Sequence, residues 1–96
     1  MEKLLIHSPD VQKSKFVEQL EQNKTIFWNQ KEMHISIYNL LIEKRNVKYS
    51  ILGLKPSKTW RISDVKKYFG IKGSKDQVLN QLLQLHEDYK FLISQL

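Results

Sequence analysis

A chain of 96 residues, 41% hydrophobic and 27% charged, can bury one core but not enclose a deep cofactor cavity, so function is expected on its surface. The lack of cysteine excludes disulfide staples, thiolate zinc sites and thiol nucleophiles together. The formal charge of +6 implies attraction to polyanions, and no apolar run approaches the roughly 20 residues of a bilayer span. Leu4, Leu5 and Ile6 are cut off by His7, Ser8 and Pro9, too soon for a secretory core, so the chain is expected to be cytoplasmic, with no membrane partner.

Lys3 to His7 has the alternation of a short edge strand, with Leu4 and Ile6 on one face. Ser8 then reads as a helix N-cap. Pro9 suits the first helical position, where its missing N–H is not needed, and Asp10 favours the positive end of the dipole. The helix is predicted to run to about Gln22 on a buried stripe of Phe16, Val17 and Leu20, and to stop at Asn23.

From Thr25 to Leu54, β-branched and aromatic residues divided by polar clusters read as three antiparallel strands: Thr25 to Trp28, Met33 to Ile42 and Val47 to Leu52, with turns at 29–32 and 43–46. Met33, Ile35 and Ile37 alternate, and Tyr38, Leu40 and Ile42 continue in the other phase, which a β-bulge near Tyr38 or Asn39 would reconcile. A second reading makes Ile35 to Arg45 a helix using Ile37, Tyr38 and Leu41.

Gly53 and Pro56 bracket an exposed irregular loop that reaches Arg61. Ser63 is expected to cap a short helix, Asp64 to Phe69, which Gly70 ends. Ser74 opens the last helix, and Gln77 three residues on completes a capping box. This helix is predicted over Lys75 to Ser94 on a seam of Val78, Leu82, Leu85, Tyr89, Leu92 and Leu96, widened by Leu79, Leu83, His86 and Ile93. Phe91 falls on the opposite side with Gln84, Glu87, Asp88 and Gln95. So wide a stripe suggests a weak homodimer or a partner docked along the helix. The expected fold is a single α+β domain: a small antiparallel three- or four-stranded sheet packed against an N-terminal helix and a long C-terminal helix.

The positive charge is regional. Between Lys44 and Lys75 ten cations (Lys44, Arg45, Lys48, Lys55, Lys58, Arg61, Lys66, Lys67, Lys72 and Lys75) meet one acid, Asp64; ten minus one is +9, and the whole-chain +6 leaves −3 for the rest. Tyr49, Trp60, Tyr68 and Phe69 are interleaved with them, the mix that phosphate contact plus base or sugar stacking uses. The candidate nucleic-acid contacts are Lys48, Lys55, Lys58, Trp60, Arg61, Lys66, Lys67, Lys72, Ser74 and Lys75. Gly73, Ser74 and Lys75 place backbone N–H groups and a cation at the positive end of a long helix, fit for one phosphate. Lys55, Ser57, Lys58, Thr59 and Arg61 add contacts from an adaptable loop. Trp60 reads either as a stacking surface for a base or as a core residue closing the loop against the sheet.

No catalytic residue, metal or cofactor is expected. His7, His34 and His86 fall in different elements without ligand spacing, and His86 beside Tyr89 reads as a packed, hydrogen-bonded side chain. Glu87 and Asp88 are adjacent, so a helix points them about 100° apart. No serine has a base with an orienting acid, and Gly70 with Gly73 is too sparse for a phosphate loop.

Ser63 to Leu83, SDVKKYFGIKGSKDQVLNQLL, resembles the helix, extended loop and helix of SAP-type DNA-binding modules, whose second half carries a Gly, then a Lys, then a helix with spaced leucines. Gly73, Lys75, Val78 and Leu82 match that half. The first helix is shorter than the family pattern, and the likeness covers under a quarter of the chain. The resemblance implies contacts to the nucleic-acid backbone from Lys72, Ser74 and Lys75. The expectation is a non-enzymatic nucleic-acid-binding protein that engages the phosphate backbone with low sequence specificity. The alternative is a small regulatory or inhibitor protein whose basic ridge binds an acidic surface of a partner protein.

Overall fold

Serines and one left-handed asparagine punctuate the N-terminal third. A computed structural model describes residues 4–28 and 30–94, beginning with a 3-10 turn over Leu5–His7, helix α1 over Pro9–Gln12 and helix α2 over Lys15–Glu21. Ser8 caps α1 as expected, its hydroxyl accepting from the Val11 N–H at 3.4 Å. The helix does not continue to Gln22, because Ser14 interrupts it. The Ser14 hydroxyl donates to the Val11 carbonyl at 2.5 Å and accepts from the Val17 N–H at 3.4 Å, closing one helix and capping the next. Asn23, at φ 57°, then stops α2 as predicted.

The expected edge strand at 3–7 is replaced by the 3-10 turn, and Lys3 lies outside the described residues. The turn needs no neighbouring strand: the Ile6 N–H donates to Asp88 Oδ2 at 3.1 Å and its carbonyl accepts from Gln12 Nε2 at 2.6 Å.

Two strands follow, β1 over Thr25–Trp28 and β2 over Lys31–His34, paired antiparallel with Thr25 opposite His34 and Trp28 opposite Lys31. Gln30 supplies a positive φ of 64° at the turn, while Asn29 lies outside the described residues. Lys31 and Glu32, read as turn residues, belong to β2.

The architecture is α+β, but among the described residues the sheet has two strands rather than three or four. The predicted strand 33–42 ends at His34, and helix α3 occupies Ile35–Ile51, absorbing the predicted turn at 43–46 and the strand at 47–52. The second reading for 35–45 is the one found, extended from Arg45 to Ile51, about 1.7 turns further. No bulge is needed at Tyr38 or Asn39. No glycine or proline occurs between Ile35 and Leu52 to break a helix. Ile37, Leu40 and Val47 are buried, and with Lys44 and Ile51 they recur at steps of three and four, a helical and not a strand period. The fully buried Ser36 ties the start of α3 to α2 by donating to the Phe16 carbonyl at 2.9 Å.

Helix α4 covers Ile62–Phe69 and α5 covers Lys75–Ser94. Arg61, without a side-chain hydrogen bond, stands at the N-cap of α4, so Ser63 is an exposed residue inside the helix and not its cap. Gly70 ends α4 as expected, at φ 68°; a Cβ there would lie 2.3 Å from the Asp10 carbonyl oxygen, so the residue must be small as well as left-handed. The capping box of α5 is formed in both directions: the Ser74 N–H donates to Gln77 Oε1 at 2.8 Å, and the Gln77 N–H to Ser74 Oγ at 3.3 Å.

Val78, Leu82 and Leu85 seat α5 on the core, with Tyr89 and Leu92 half-buried beyond them; Leu96 and Gln95 lie outside the described residues. Asp88, expected on the exposed side, instead faces inward and is 1% exposed. Its Oδ2 takes the Ile6 N–H and its Oδ1 accepts from Gln84 Nε2 at 2.7 Å, so both oxygens are hydrogen-bonded. Phe91 is exposed as predicted, and Leu83 and Ile93 remain half-exposed. Among the described residues no helix is long and apolar enough to cross a membrane.

Candidate nucleic-acid interface

The end of α3 decides where the basic loop goes. Gly53, at φ 86°, follows Leu52 in a Schellman arrangement: the Leu54 N–H donates to the Tyr49 carbonyl at 2.9 Å and the Gly53 N–H to the Ser50 carbonyl at 3.1 Å. The loop leaves the helix there and reaches the first turn of α4. Ser50, Leu54, Lys55, Trp60, Arg61 and Ser63 thereby line one cleft of about 450 Å³, and Lys75, from the first turn of α5, closes it. Three cations from three parts of the chain meet in this cleft, and no acid lines it among the described residues.

A second cleft of about 470 Å³ lies beside the first and has a different chemistry. It is lined by Asn39, Ile42, Glu43 and Asn46 of α3, Asp64 and Tyr68 of α4, and Trp60. Trp60 is the residue common to both clefts and marks the boundary between them. The side chain is half-buried and packs on the core, and its Nε1–H donates to Glu43 Oε1 at 3.1 Å. Asn46 Nδ2 donates to the same oxygen at 2.8 Å. The expected core role is thus present, with one correction: the indole closes the loop onto α3, where a sheet had been expected.

Lys72 lines a third cleft, with Gly73, Gln77, Asn80 and Gln81. Lys48, Lys58, Lys66, Lys67 and Ser74 line none of the three among the described residues. Lys48, Lys58 and Lys67 are exposed and Lys66 is half-buried. The Ser74 N–H is donated to Gln77, so the helix cap consumes one of the groups expected to receive a phosphate, while the Ser74 hydroxyl accepts from the Gln77 N–H and keeps its own proton.

Two of the interleaved aromatics pack on the core, Phe69 wholly and Tyr68 in part, the latter still lining the second cleft. Phe69 is fully buried and Tyr68 packs edge-on against it at 4.7 Å, both beside Phe16. The Tyr68 hydroxyl donates to Gln19 Oε1 at 2.5 Å and accepts from Asn39 Nδ2 at 3.0 Å. Lys44 turns toward α5, its Nζ 2.8 Å from His86 Nδ1. An ammonium can only donate, so Nδ1 is bare and the ring proton sits on Nε2. Burial lowers the pKa of His86, and Lys44 and Lys90 push it further down against the opposing pull of Glu87. Burial likewise lowers the pKa of Lys44. His86 is therefore the packed, hydrogen-bonded side chain that its position beside Tyr89 implied.

Asn39, Glu43, Asn46 and Ser50, which line the first two clefts, escaped the sequence reading of the site. They recur at steps of four, three and four, a polar stripe that appears only once 35–51 is read as a helix. Among the described residues no group of histidine and carboxylate side chains could hold a metal ion. No family model matches the chain, no curated protein matches it, and no solved structure matches it.

Proposed function

We propose that the protein is a non-enzymatic nucleic-acid-binding protein that grips the phosphate backbone at the cleft of Lys55, Arg61 and Lys75. The convergence of these three cations, with no acid among the described lining residues, carries the reading. Guanidinium and ammonium groups bind phosphate oxygens by charge-assisted hydrogen bonds, and phosphate contacts position a strand without reading its sequence. The exposed Lys48, Lys58 and Lys67 add a longer-range attraction around the cleft. The resemblance of residues 63–83 to SAP-type modules adds to the reading for Lys72 and Lys75.

The test is a salt titration of the affinity for mixed-sequence DNA and RNA strands. Three phosphate contacts in the cleft give a slope of log affinity against log salt of roughly −2 to −3. Affinity that stays undetectable at about 20 mM salt, where screening is weakest, rejects the proposal.

A further inference from the structure

We infer that Trp60 divides one nucleotide site in two, with a phosphate held at Lys55, Arg61 and Lys75 and the attached base held in the cleft of Asn39, Glu43, Asn46 and Asp64, guanine preferred. The inference rests on the nucleic-acid reading of the cationic cleft and adds to it the strand state and the base. Both clefts fall in the size range of small-ligand sites, roughly 300 to 1,000 Å³. Their charges are opposite. Glu43 and Asp64 repel a phosphate, so the backbone is confined to the cationic side of the indole, and a group entering the other cleft must bring hydrogen-bond donors to the carboxylates.

A nucleotide has this division of polarity built in, an anionic phosphate linked by a sugar to a base with N–H groups on its edge. Guanine presents N1–H and the N2 amino group side by side, a pair that the one free carboxylate oxygen of Glu43, Oε2, can accept together, while its O6 can accept from an asparagine amide. Adenine and cytosine offer one amino group next to a bare ring nitrogen. Uracil offers a single N–H flanked by two carbonyl oxygens, which a carboxylate repels. Glu43 is held in place before any ligand arrives, because Oε1 already accepts from Trp60 and Asn46. A base can occupy this cleft only after leaving its stack, which selects single strands over duplexes.

The test compares a uridine decamer with the same decamer carrying one central guanosine. One guanosine is expected to tighten binding about tenfold, at the lower end of the discrimination given by a base contact of two hydrogen bonds. E43Q keeps an oxygen for Trp60 and Asn46 but replaces the other carboxylate oxygen with a donor, so the guanosine advantage should vanish while the salt slope stays. Equal affinity of the unaltered protein for the two decamers, with the salt dependence intact, overturns the inference and leaves phosphate binding standing. Tighter binding to a duplex of the same length overturns it as well. Absence of binding to every strand rejects both readings together. The decamer comparison uses the unaltered protein, so the inference remains testable if E43Q fails to fold.

Discussion

Lys44 Nζ stands 2.8 Å from His86 Nδ1 in the seam between α3 and α5, a cation placed against an imidazole in a half-buried interface. The arrangement requires a neutral His86. Its pKa is lowered from the ordinary 6.5 by burial first and then by Lys44 and Lys90. The unfolded chain therefore takes up this proton at a higher pH than the folded one, so His86 makes stability rise with pH. Its contribution is complete above about pH 6.5 and is lost as pH falls through the lower folded value. Urea unfolding measured from neutral to mildly acidic pH should show this decline, and His86→Gln should flatten it. An unchanged profile in the variant would assign the decline to other groups.

Asp88 fastens the 3-10 turn to the last helix. Asp88→Ala leaves the Ile6 N–H buried without an acceptor, at a cost of about 1–3 kcal/mol. Asp88→Asn should cost less, since its oxygen can still take the Ile6 N–H and the Gln84 amide can turn to accept from its nitrogen. Denaturant titration of the two variants should rank them in that order.

For Trp60, packing and hydrogen bonding separate by substitution. Trp60→Ala removes a half-buried indole and should cost about 2–3 kcal/mol, below the 3–5 kcal/mol of a fully buried aromatic. Trp60→Phe keeps a ring and loses the donor to Glu43, at about 1 kcal/mol. If the indole also stacks on a base, the Phe variant should retain most of the binding and the Ala variant should lose it, as measured on single strands at fixed salt.

The cations should divide into two groups by position. Replacing Lys55, Arg61 and Lys75 together by Ala should change stability by no more than about 0.5 kcal/mol each, and Lys75 opposes the dipole of α5, so its loss does not harm that helix. Binding should weaken strongly and the salt slope shrink by about 2 to 3. Replacing Lys48, Lys58 and Lys67 removes the same charge from outside the clefts and should have a smaller effect on both. Equal effects from the two triples would mean that net charge, and no cleft, attracts the strand.

Stop signals and caps were the most legible features of the sequence. Ser8, Asn23, Gly70 and the Ser74 and Gln77 pair act locally, through their own hydrogen bonds and dihedral angles, so a few neighbouring residues suffice to read them. Residues 35–51 were not legible in the same way. Ile35, Ile37, Tyr38, Ile42, Val47 and Tyr49 have the local preferences of strands, and the helix is decided by packing Ile37, Leu40 and Val47 against an element far along the chain. The site divides along the same line. Charge alone pointed to Lys55, Arg61 and Lys75, whereas the carboxylate cleft depends on the helical phase of Asn39, Glu43 and Asn46.

The bond from Ile6 to Asp88 also fixes an order of events during synthesis. Its partners are 82 residues apart, so the acceptor leaves the ribosome long after the donor. The hairpin contains its own local contacts and can begin to form as it emerges, but the Ile6 N–H of the 3-10 turn has no acceptor until α5 is made. A nascent chain arrested before Leu82 should therefore leave the 3-10 turn over Leu5–His7 open to protease, and release of the last helix should close it.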